Sequence, residues 1–144
     1  MNYYFAYGSN MDPDQMEKRC PAAVRVTRAS LSGYRFLINT RGVATLHKEK
    51  GAIVYGLIYR ITPECERSLD KFEGVVKGLY GKHLAQCHSL RRRALRVCLT
   101  YIDPDPYTGP ARPGYMDKIL RGAYLAQLPT PYIRQLNRWR FHVA

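Results

Sequence analysis

Apolar residues in this chain either alternate with polar ones, as in half-buried strands, or recur every three to four positions, as in helices. Residues 24–31 show the alternation, and 52–61, rich in Ile, Val and Tyr, has the strongest strand composition. Ser32 and Gly33 predict a turn between two strands. The predicted strands are 2–7, 24–31, 34–39, 43–46, 52–61, 80–90 and 94–102.

Capping signals place the helices between these strands. Asp12 is a suitable N-cap, Pro13 suits the first helical position and Gln15 completes a capping box. Thr62 and Thr130 predict the starts of later helices. The predicted helices run from 12 to about 20, from 62 to about 72, over 114–128 and from 130 onward, with an irregular proline-rich loop over 103–113. This order predicts one α+β domain, 1–144, with a largely antiparallel sheet curled toward a barrel.

Composition fits a soluble globular protein, with 46% apolar and 24% charged residues among 144. No apolar run approaches the roughly 20 residues that span a bilayer, and the N-terminus lacks a signal-peptide layout. We therefore expect a cytoplasmic protein with no membrane partner. The cysteines, Cys20, Cys65, Cys87 and Cys98, show no zinc-ligand spacing, so we expect reduced thiols and no metal site.

The net charge of +12, from 23 basic and 11 acidic residues, suggests a nucleic-acid partner as one hypothesis. The positive charge is spread along the chain, and its one dense run, Arg91, Arg92 and Arg93 with Arg96 following, falls at a predicted hairpin turn. No recognition helix or aromatic-basic RNA signature accompanies it. A solvated basic surface is the favoured interpretation, and weak nonspecific attraction to polyanions stays open.

The aromatic strand at the N-terminus stops abruptly in a small-residue loop, Tyr7-Gly8-Ser9-Asn10. Gly8 permits close approach of a ligand to the backbone, while Ser9 and Asn10 add a hydroxyl group and a carboxamide. Successive amides in such a turn can form a concave anion site. The alternative is an edge strand followed by an ordinary tight turn.

A single carboxylate, Glu73, stands out for its position at a predicted helix end before Gly74. Its neighbours are mostly apolar, and loss of solvation raises the pKa of a carboxylate, which makes it a better base near neutral pH. The alternative is a surface acid at a helix end. Asp70, one turn earlier, is expected on the helix surface.

Taken together, these motifs resemble the γ-glutamylcyclotransferase-like superfamily, which includes γ-glutamylamine cyclotransferase and AIG2-like proteins. Residues 3–11 are similar to its YGSN signature, and 69–75 followed by Gly78, Leu79 and Tyr80 are similar to its LDxxEGV…GxY segment. Residues 54–59 resemble the family's central strand, and residues 114–123 resemble the last of its sequence motifs in chain order. The resemblance runs from about residue 3 to 136, with both main motifs in the right order.

The resemblance implies a small, mostly antiparallel β-barrel flanked by helices, with neither a metal nor an organic cofactor. It also implies an enzyme, a transferase or lyase in class, that cyclises a γ-glutamyl amine or amino acid to 5-oxoproline and releases the amine. Glu73 matches the acid/base position. The residues that match the substrate-binding positions are Tyr7, Gly8, Ser9, Asn10, Tyr80, Tyr101 and Tyr115.

Alternatives remain open at this level. Each of the tyrosines Tyr80, Tyr101 and Tyr115 can instead be a core or hairpin aromatic, and for Tyr101 the two interpretations weigh equally. A noncatalytic domain of the same fold that binds a small molecule or a polyanion is the alternative function. The leaving amine and the oligomeric state are not predicted.

Overall fold

A five-stranded β-barrel flanked by helices forms the protein within residues 2–92 and 94–141, the part that the computed structural model describes. The strands are β1 (Asn2–Ala6), β2 (Val24–Ile38), β3 (Ala44–Ile61), β4 (Gly81–Ser89) and β5 (Leu95–Ile102). The helices are α1 (Pro13–Arg19), α2 (Pro63–Phe72), α3 (Tyr115–Leu125) and α4 (Thr130–Arg138), with short 3₁₀ turns over Ser9–Met11 and Trp139–Phe141. The predicted α+β class is confirmed.

The barrel closes in the order β1-β3-β2-β4-β5. Neighbouring strands are antiparallel except at the closure, where β1 runs parallel to β5 with Tyr4 opposite Leu99. The mostly antiparallel barrel is therefore confirmed. Arg91 and Arg92 lie in the turn between β4 and β5, as predicted, whereas Arg93 lies outside the described residues.

The turn predicted at Ser32 and Gly33 is wrong. β2 continues through this point with a register shift between Ser32 and Tyr34, and Gly33 takes a φ of +83°. Between the pair of Ser32 with Ile53 and the pair of Tyr34 with Lys48, β3 has four residues, 49–52, against Gly33 alone on β2, so the extra residues lie in β3. The predicted strands 43–46 and 52–61 likewise merge into β3, because His47 and Lys48 between them pair with Arg35 and Tyr34 of β2.

Two of the helix starts differ from the capping predictions. Thr62 caps α2 as predicted, since its Oγ1 accepts a hydrogen bond of 3.2 Å from the Cys65 amide. Asp12 occupies the N-cap of α1 without a side-chain capping bond, and its carboxylate pairs with Arg121 instead. At α4 the N-cap is Pro129, so the predicted cap Thr130 is already the first helical residue.

Close packing of α3 against the 3₁₀ turn after β1 positions the loop that ends this strand. Gly122 makes this contact, since a Cβ there would lie 2.4 Å from the carbonyl carbon of Met11 and 2.6 Å from the Asp12 amide nitrogen. The core beneath is apolar and includes Phe5, Leu37 and Ile58, all fully buried. The loop at the end of β1 therefore rests on a rigid base.

Three further findings concern the described residues only. No helix among them is both long enough and apolar enough to cross a membrane. They contain no group of three histidine, cysteine or acidic side chains arranged to hold a metal ion. The four cysteines are buried and unbonded to one another by disulfides.

Candidate active site

A cavity of about 300 Å³ opens where the end of β1, the end of α2 and the start of α3 meet. Its wall includes every residue that the sequence singled out for chemistry: Tyr7, Gly8, Ser9, Asn10, Glu73, Tyr80, Tyr101 and Tyr115. Residues more than 60 positions apart in the chain are thus brought to one enclosure. Their individual roles in binding and catalysis stay predictions.

Glu73 sits at the C-terminal end of α2, where its amide donates a hydrogen bond of 2.9 Å to the Leu69 carbonyl. Gly74 ends the helix in the left-handed region with φ at +65°. The side chain is half-buried in the cavity wall, and no described residue forms a side-chain hydrogen bond or an ion pair with its carboxylate. The carboxylate is therefore available to a ligand.

Burial raises the pKa of Glu73 from 4.5 to about 7, because the charged form loses hydration. The guanidinium groups of Arg19 and Arg41 oppose this shift and lower the pKa. The residue thus exchanges protons near neutral pH, which is what a group that both accepts and returns a proton requires.

The loop after β1 turns at Gly8 into the 3₁₀ turn Ser9–Met11, with the Met11 amide bonded to the Gly8 carbonyl over 3.0 Å. The amides of Ser9 and Asn10 start this turn and have no acceptor within it. Ser9 and Asn10 line the cavity together with Glu73. The loop therefore offers backbone donors beside a carboxylate of near-neutral pKa.

The Asn10 side chain is 3% exposed and is used mostly within the protein. Its amide nitrogen donates to the Tyr4 hydroxyl over 3.0 Å, and its oxygen accepts from Gln15 over 3.0 Å and from Arg19 over 3.1 Å. A carboxamide offers two N–H groups and two lone pairs, so one N–H remains. Asn10 thus holds Arg19 and Tyr4 in the cavity wall.

Gln15 is a residue whose role the sequence missed. Instead of completing a capping box, its amide nitrogen donates to the Ser9 hydroxyl over 2.7 Å, as well as to Asn10. Its oxygen in turn accepts from Lys118 over 3.1 Å. Gln15 therefore links α1 and α3 to both polar side chains of the loop, which fixes the loop before any ligand binds.

Two tyrosines of the cavity are locked onto the same residue of β3. Tyr80 donates to the Ala44 carbonyl over 2.6 Å, and the Tyr115 hydroxyl accepts from the Ala44 amide over 2.9 Å. Tyr7 donates to the Tyr101 carbonyl over 2.5 Å. Burial raises the pKa of the Tyr7, Tyr80 and Tyr115 hydroxyl groups, so they stay protonated and form a neutral wall around Glu73.

Tyr101 combines both of its sequence interpretations. It is 2% exposed and belongs to the core, yet it also lines the cavity. Its hydroxyl group donates to Asp70 over 2.6 Å. Asp70 stays partly exposed at the helix surface, with 27% of its side chain accessible, and its carboxylate also lies 2.9 Å from Lys82.

Three arginines in the cavity wall, Arg19, Arg41 and Arg112, were not predicted from the sequence. Arg19 lies over the Phe72 ring at 4.5 Å, and Arg41 pairs with Asp103. In a chain with 23 basic residues, no local pattern separates these three from surface arginines. The proline-rich composition of 103–113 predicted an irregular loop, and this loop brings Arg112 to the cavity.

The model of the AIG2-like family matches residues 53–136, more than half of the chain. The chain belongs to the AIG2-like family. It is 28% identical to a protein named γ-glutamylcyclotransferase from Bos taurus, over 93% of this chain and 76% of that protein. The protein of that name from Homo sapiens is 27% identical over the same shares.

Solved structures confirm the family fold. A structure titled γ-glutamyl cyclotransferase superposes with a TM-score of 0.88 at 25% identity, over 94% of this chain and 86% of that chain. YkqA from Bacillus subtilis superposes with a TM-score of 0.81 at 28% identity, over 99% of this chain and 55% of its own. The resemblance predicted from the sequence motifs is confirmed, and so is the barrel of this AIG2-like protein.

Proposed function

We propose that this AIG2-like protein is a γ-glutamylcyclotransferase that converts a γ-glutamyl amine or amino acid into 5-oxoproline and a free amine. One observation carries the proposal: Glu73, with a pKa near 7 and no ion-pair partner among the described residues, shares a cavity with the amides of the 8–10 loop. The names of the relatives support the same reaction.

The reaction places the nucleophile in the substrate itself. The α-amine of the glutamyl group attacks the γ-carbonyl carbon, and the bond to the leaving nitrogen breaks. The Glu73 carboxylate accepts a proton from the attacking amine, whose reference pKa is about 7.7–8.0. It then returns this proton to the leaving nitrogen, so one group serves as base and as acid.

The cavity contributes by holding the substrate in a folded form. A fixed geometry of amine and carbonyl replaces a flexible chain, and this supplies a large part of the rate in intramolecular reactions. The amides of Ser9 and Asn10 provide donors for the α-carboxylate, or for the oxyanion that develops at the γ-carbonyl. The neutral tyrosine wall surrounds the half-buried carboxylate of Glu73 and limits its hydration.

The same chemistry requires neither a metal nor an organic cofactor, because the substrate supplies its own nucleophile. We place the enzyme in the cytoplasm, since four buried cysteines without disulfides suit a reducing compartment. Its partner in this proposal is a small γ-glutamyl compound, with neither a membrane nor a specific nucleic acid involved.

The direct experiment measures 5-oxoproline formed from a panel of γ-glutamyl compounds. We expect turnover by the wild type and a loss of at least about 100-fold in Glu73→Gln, which is the lower bound for removing a general acid/base. Glu64→Gln is the matched control, since this exposed carboxylate lies on the same helix outside the cavity wall. Full activity of Glu73→Gln would refute the mechanism. No turnover of any compound would favour a noncatalytic binding domain.

A further inference from the structure

A smaller cavity, of about 240 Å³, lies where the turn between β4 and β5 passes the start of β2. Three of its seven lining residues are arginines, Arg91, Arg92 and Arg96, and none of the seven is acidic. β5 runs parallel to β1, so β5 starts at the end of the barrel where β1 starts, whereas the 8–10 loop follows the other end of β1. A ligand in this cavity therefore leaves the cavity of Glu73 free.

The strands at this end of the barrel leave its arginines without carboxylate partners. No aspartate or glutamate occurs in residues 18–48 or 74–102, which include all of β2, β4 and β5. Within the part of the chain that the structure describes, none of the three arginines forms an ion pair. Arg96 lies 5.5 Å from the centre of the Tyr3 ring, which orients its guanidinium group without neutralising it. The positive charge of this cavity is thus not compensated by a described residue.

Hydrogen bonds around Ser89 fix the backbone that carries two of these arginines. Its Oγ accepts from the amide of Arg91 over 3.3 Å and from the amide of Arg92 over 3.4 Å. The same hydroxyl group donates to Oγ1 of Thr27 on β2 over 3.4 Å. The Leu90 amide adds a bond of 3.0 Å to a carbonyl of β2. The turn is therefore shaped before a ligand binds, and two hydroxyl groups lie in the cavity wall beside the guanidinium groups.

The composition of this wall selects a small anion that carries more than one negative charge. Guanidinium groups pair with phosphate through two parallel hydrogen bonds, and hydroxyl groups donate to the remaining oxygens. A phosphoryl group carries a charge of about −1.5 to −2 at neutral pH, whereas a carboxylate carries only one. The cavity is also smaller than the roughly 300–1,000 Å³ of sites for drug-sized ligands. It therefore suits one phosphoryl group better than a large organic molecule.

We propose that Arg91, Arg92 and Arg96 form a second binding site, which holds the phosphoryl group of a small phosphorylated compound. The inference goes beyond the cyclotransferase reaction and does not depend on it, because the site lies at the other end of the barrel. It also gives part of the net charge of +12 a specific place and role. A soluble phosphate ester and a phosphomonoester lipid headgroup present the same chemistry, and the experiment below separates them.

The test titrates the protein with inorganic pyrophosphate by isothermal calorimetry at constant ionic strength. We expect saturable binding by the wild type, and a Kd about 10-fold higher in Arg91→Gln and in Arg92→Gln, since each loses one charged hydrogen-bond donor. Both residues are exposed in a turn, so the variants should fold, which thermal unfolding verifies. Arg134→Gln removes the same charge from the exposed face of α4, outside this cavity, and should keep Kd within about twofold.

Arg112→Gln distinguishes this site from the arginines of the Glu73 cavity and should bind pyrophosphate as the wild type does. Weaker binding in Arg112→Gln with wild-type binding in Arg92→Gln would place the anion beside Glu73 and overturn the inference. Equal weakening in Arg92→Gln and Arg134→Gln would mean nonspecific attraction to a basic surface and overturn it too, as would the absence of saturable binding by the wild type.

Sedimentation with phosphatidylcholine vesicles that contain or lack phosphatidic acid identifies the source of the phosphoryl group. Binding that requires phosphatidic acid and is lost in Arg92→Gln supports the site with a lipid headgroup as its ligand. Binding of pyrophosphate without sedimentation supports the site with a soluble phosphate ester as its ligand. Sedimentation with phosphatidic acid that is the same in Arg92→Gln and the wild type would contradict a role of the turn in holding the headgroup.

Discussion

Tyr101 donates a hydrogen bond of 2.6 Å to Oδ1 of Asp70, one helical turn before Glu73. On the other carboxylate oxygen, Lys82 lies 2.9 Å away. One side chain of α2 is therefore tied to both β4 and β5. The helix end that carries Glu73 is held against the barrel by this contact together with the fully buried side chain of Leu69.

The first prediction concerns this tether. In Tyr101→Phe the Asp70 carboxylate loses a charge-assisted hydrogen bond, so we expect the free energy of unfolding to fall by about 1–2 kcal/mol. We also expect kcat to decrease several-fold because Glu73 is less firmly placed. Denaturant titration and steady-state kinetics measure the two effects. The control Tyr124→Phe, at an exposed tyrosine of α3, should change neither quantity. A wild-type free energy of unfolding and kcat in Tyr101→Phe would contradict the role of this hydrogen bond.

A second prediction follows from the pKa of Glu73, which burial raises from 4.5 to about 7. Between these values the folded protein holds a proton that the unfolded chain has released, so the free energy of unfolding falls as pH rises through this window. In Glu73→Gln this side chain no longer titrates, so the free energy of unfolding does not fall through this pH window on its account. One pKa unit equals about 1.4 kcal/mol, and solvent reduces the effect at this half-buried site, so the variant should gain on the order of 2–3 kcal/mol over wild type between about pH 4 and pH 8.

Urea titrations of both proteins across that pH range measure this difference. Glu64→Gln serves as the control, because the effect of Glu64 on stability is expected to change with pH in the opposite direction. Hydrogen bonds from its own backbone amide and from Thr62 lower the pKa of Glu64, so its carboxylate stabilises the folded state as pH rises. Parallel pH curves for wild type and Glu73→Gln would mean that the Glu73 pKa is not raised.

The third prediction concerns Arg19, whose positive charge lowers the pKa of Glu73 against the effect of burial. Arg19→Gln should therefore move the Glu73 inflection in the pH profile of kcat/KM to higher pH. The amine of the free substrate titrates identically with both enzymes, so a shift between them reports the enzyme group. Lys18→Gln, at the exposed neighbouring residue, should leave the inflection in place. A downward shift in Arg19→Gln would contradict this arrangement.

A fourth prediction concerns the contact beneath the 8–10 loop. Alanine at Gly122 would gain about 1 kcal/mol in helix propensity. Its Cβ, however, would lie 2.4 Å from backbone atoms of the 3₁₀ turn, and such overpacking costs about 1–3 kcal/mol or more. We expect a net loss of stability and a raised KM, because the loop amides move with the turn.

Thermal unfolding and kinetics of Gly122→Ala measure the two effects. Gly33→Ala is the comparison, since its Cβ would contact nothing within 4 Å and only its φ of +83° is unfavourable. It should lower stability without changing KM. An unchanged KM in Gly122→Ala would show that the contact with α3 does not position the 8–10 loop.

Local patterns determined much of this fold. Strand composition at residues 52–61 and the Thr62 cap placed the second half of β3 and the start of α2 correctly, because these signals depend on neighbours in the chain. The turn predicted at Ser32 and Gly33 was wrong, because β2 stays paired with β3 on both sides of Gly33. Whether a Gly in a polar stretch forms a turn or a bulge depends on that partner, which sequence spacing does not specify.

The sequence by itself predicted the α+β class, the family and eight of the residues that line the cavity, because most of these residues belong to motifs of adjacent residues. It did not predict the cavity arginines Arg19, Arg41 and Arg112. Only the tertiary structure decided how those residues are connected. It assigned the Asn10 carboxamide to Arg19, Asp70 to Tyr101, and Arg112 to the cavity opening. Asp70 and Tyr101 lie 31 positions apart, and Arg112 lies 71 positions from the turn that it contacts, so these two placements depend on the closure of the barrel rather than on local propensity. Asn10 and Arg19 are only nine positions apart, and their contact depends on how α1 packs against the 8–10 loop.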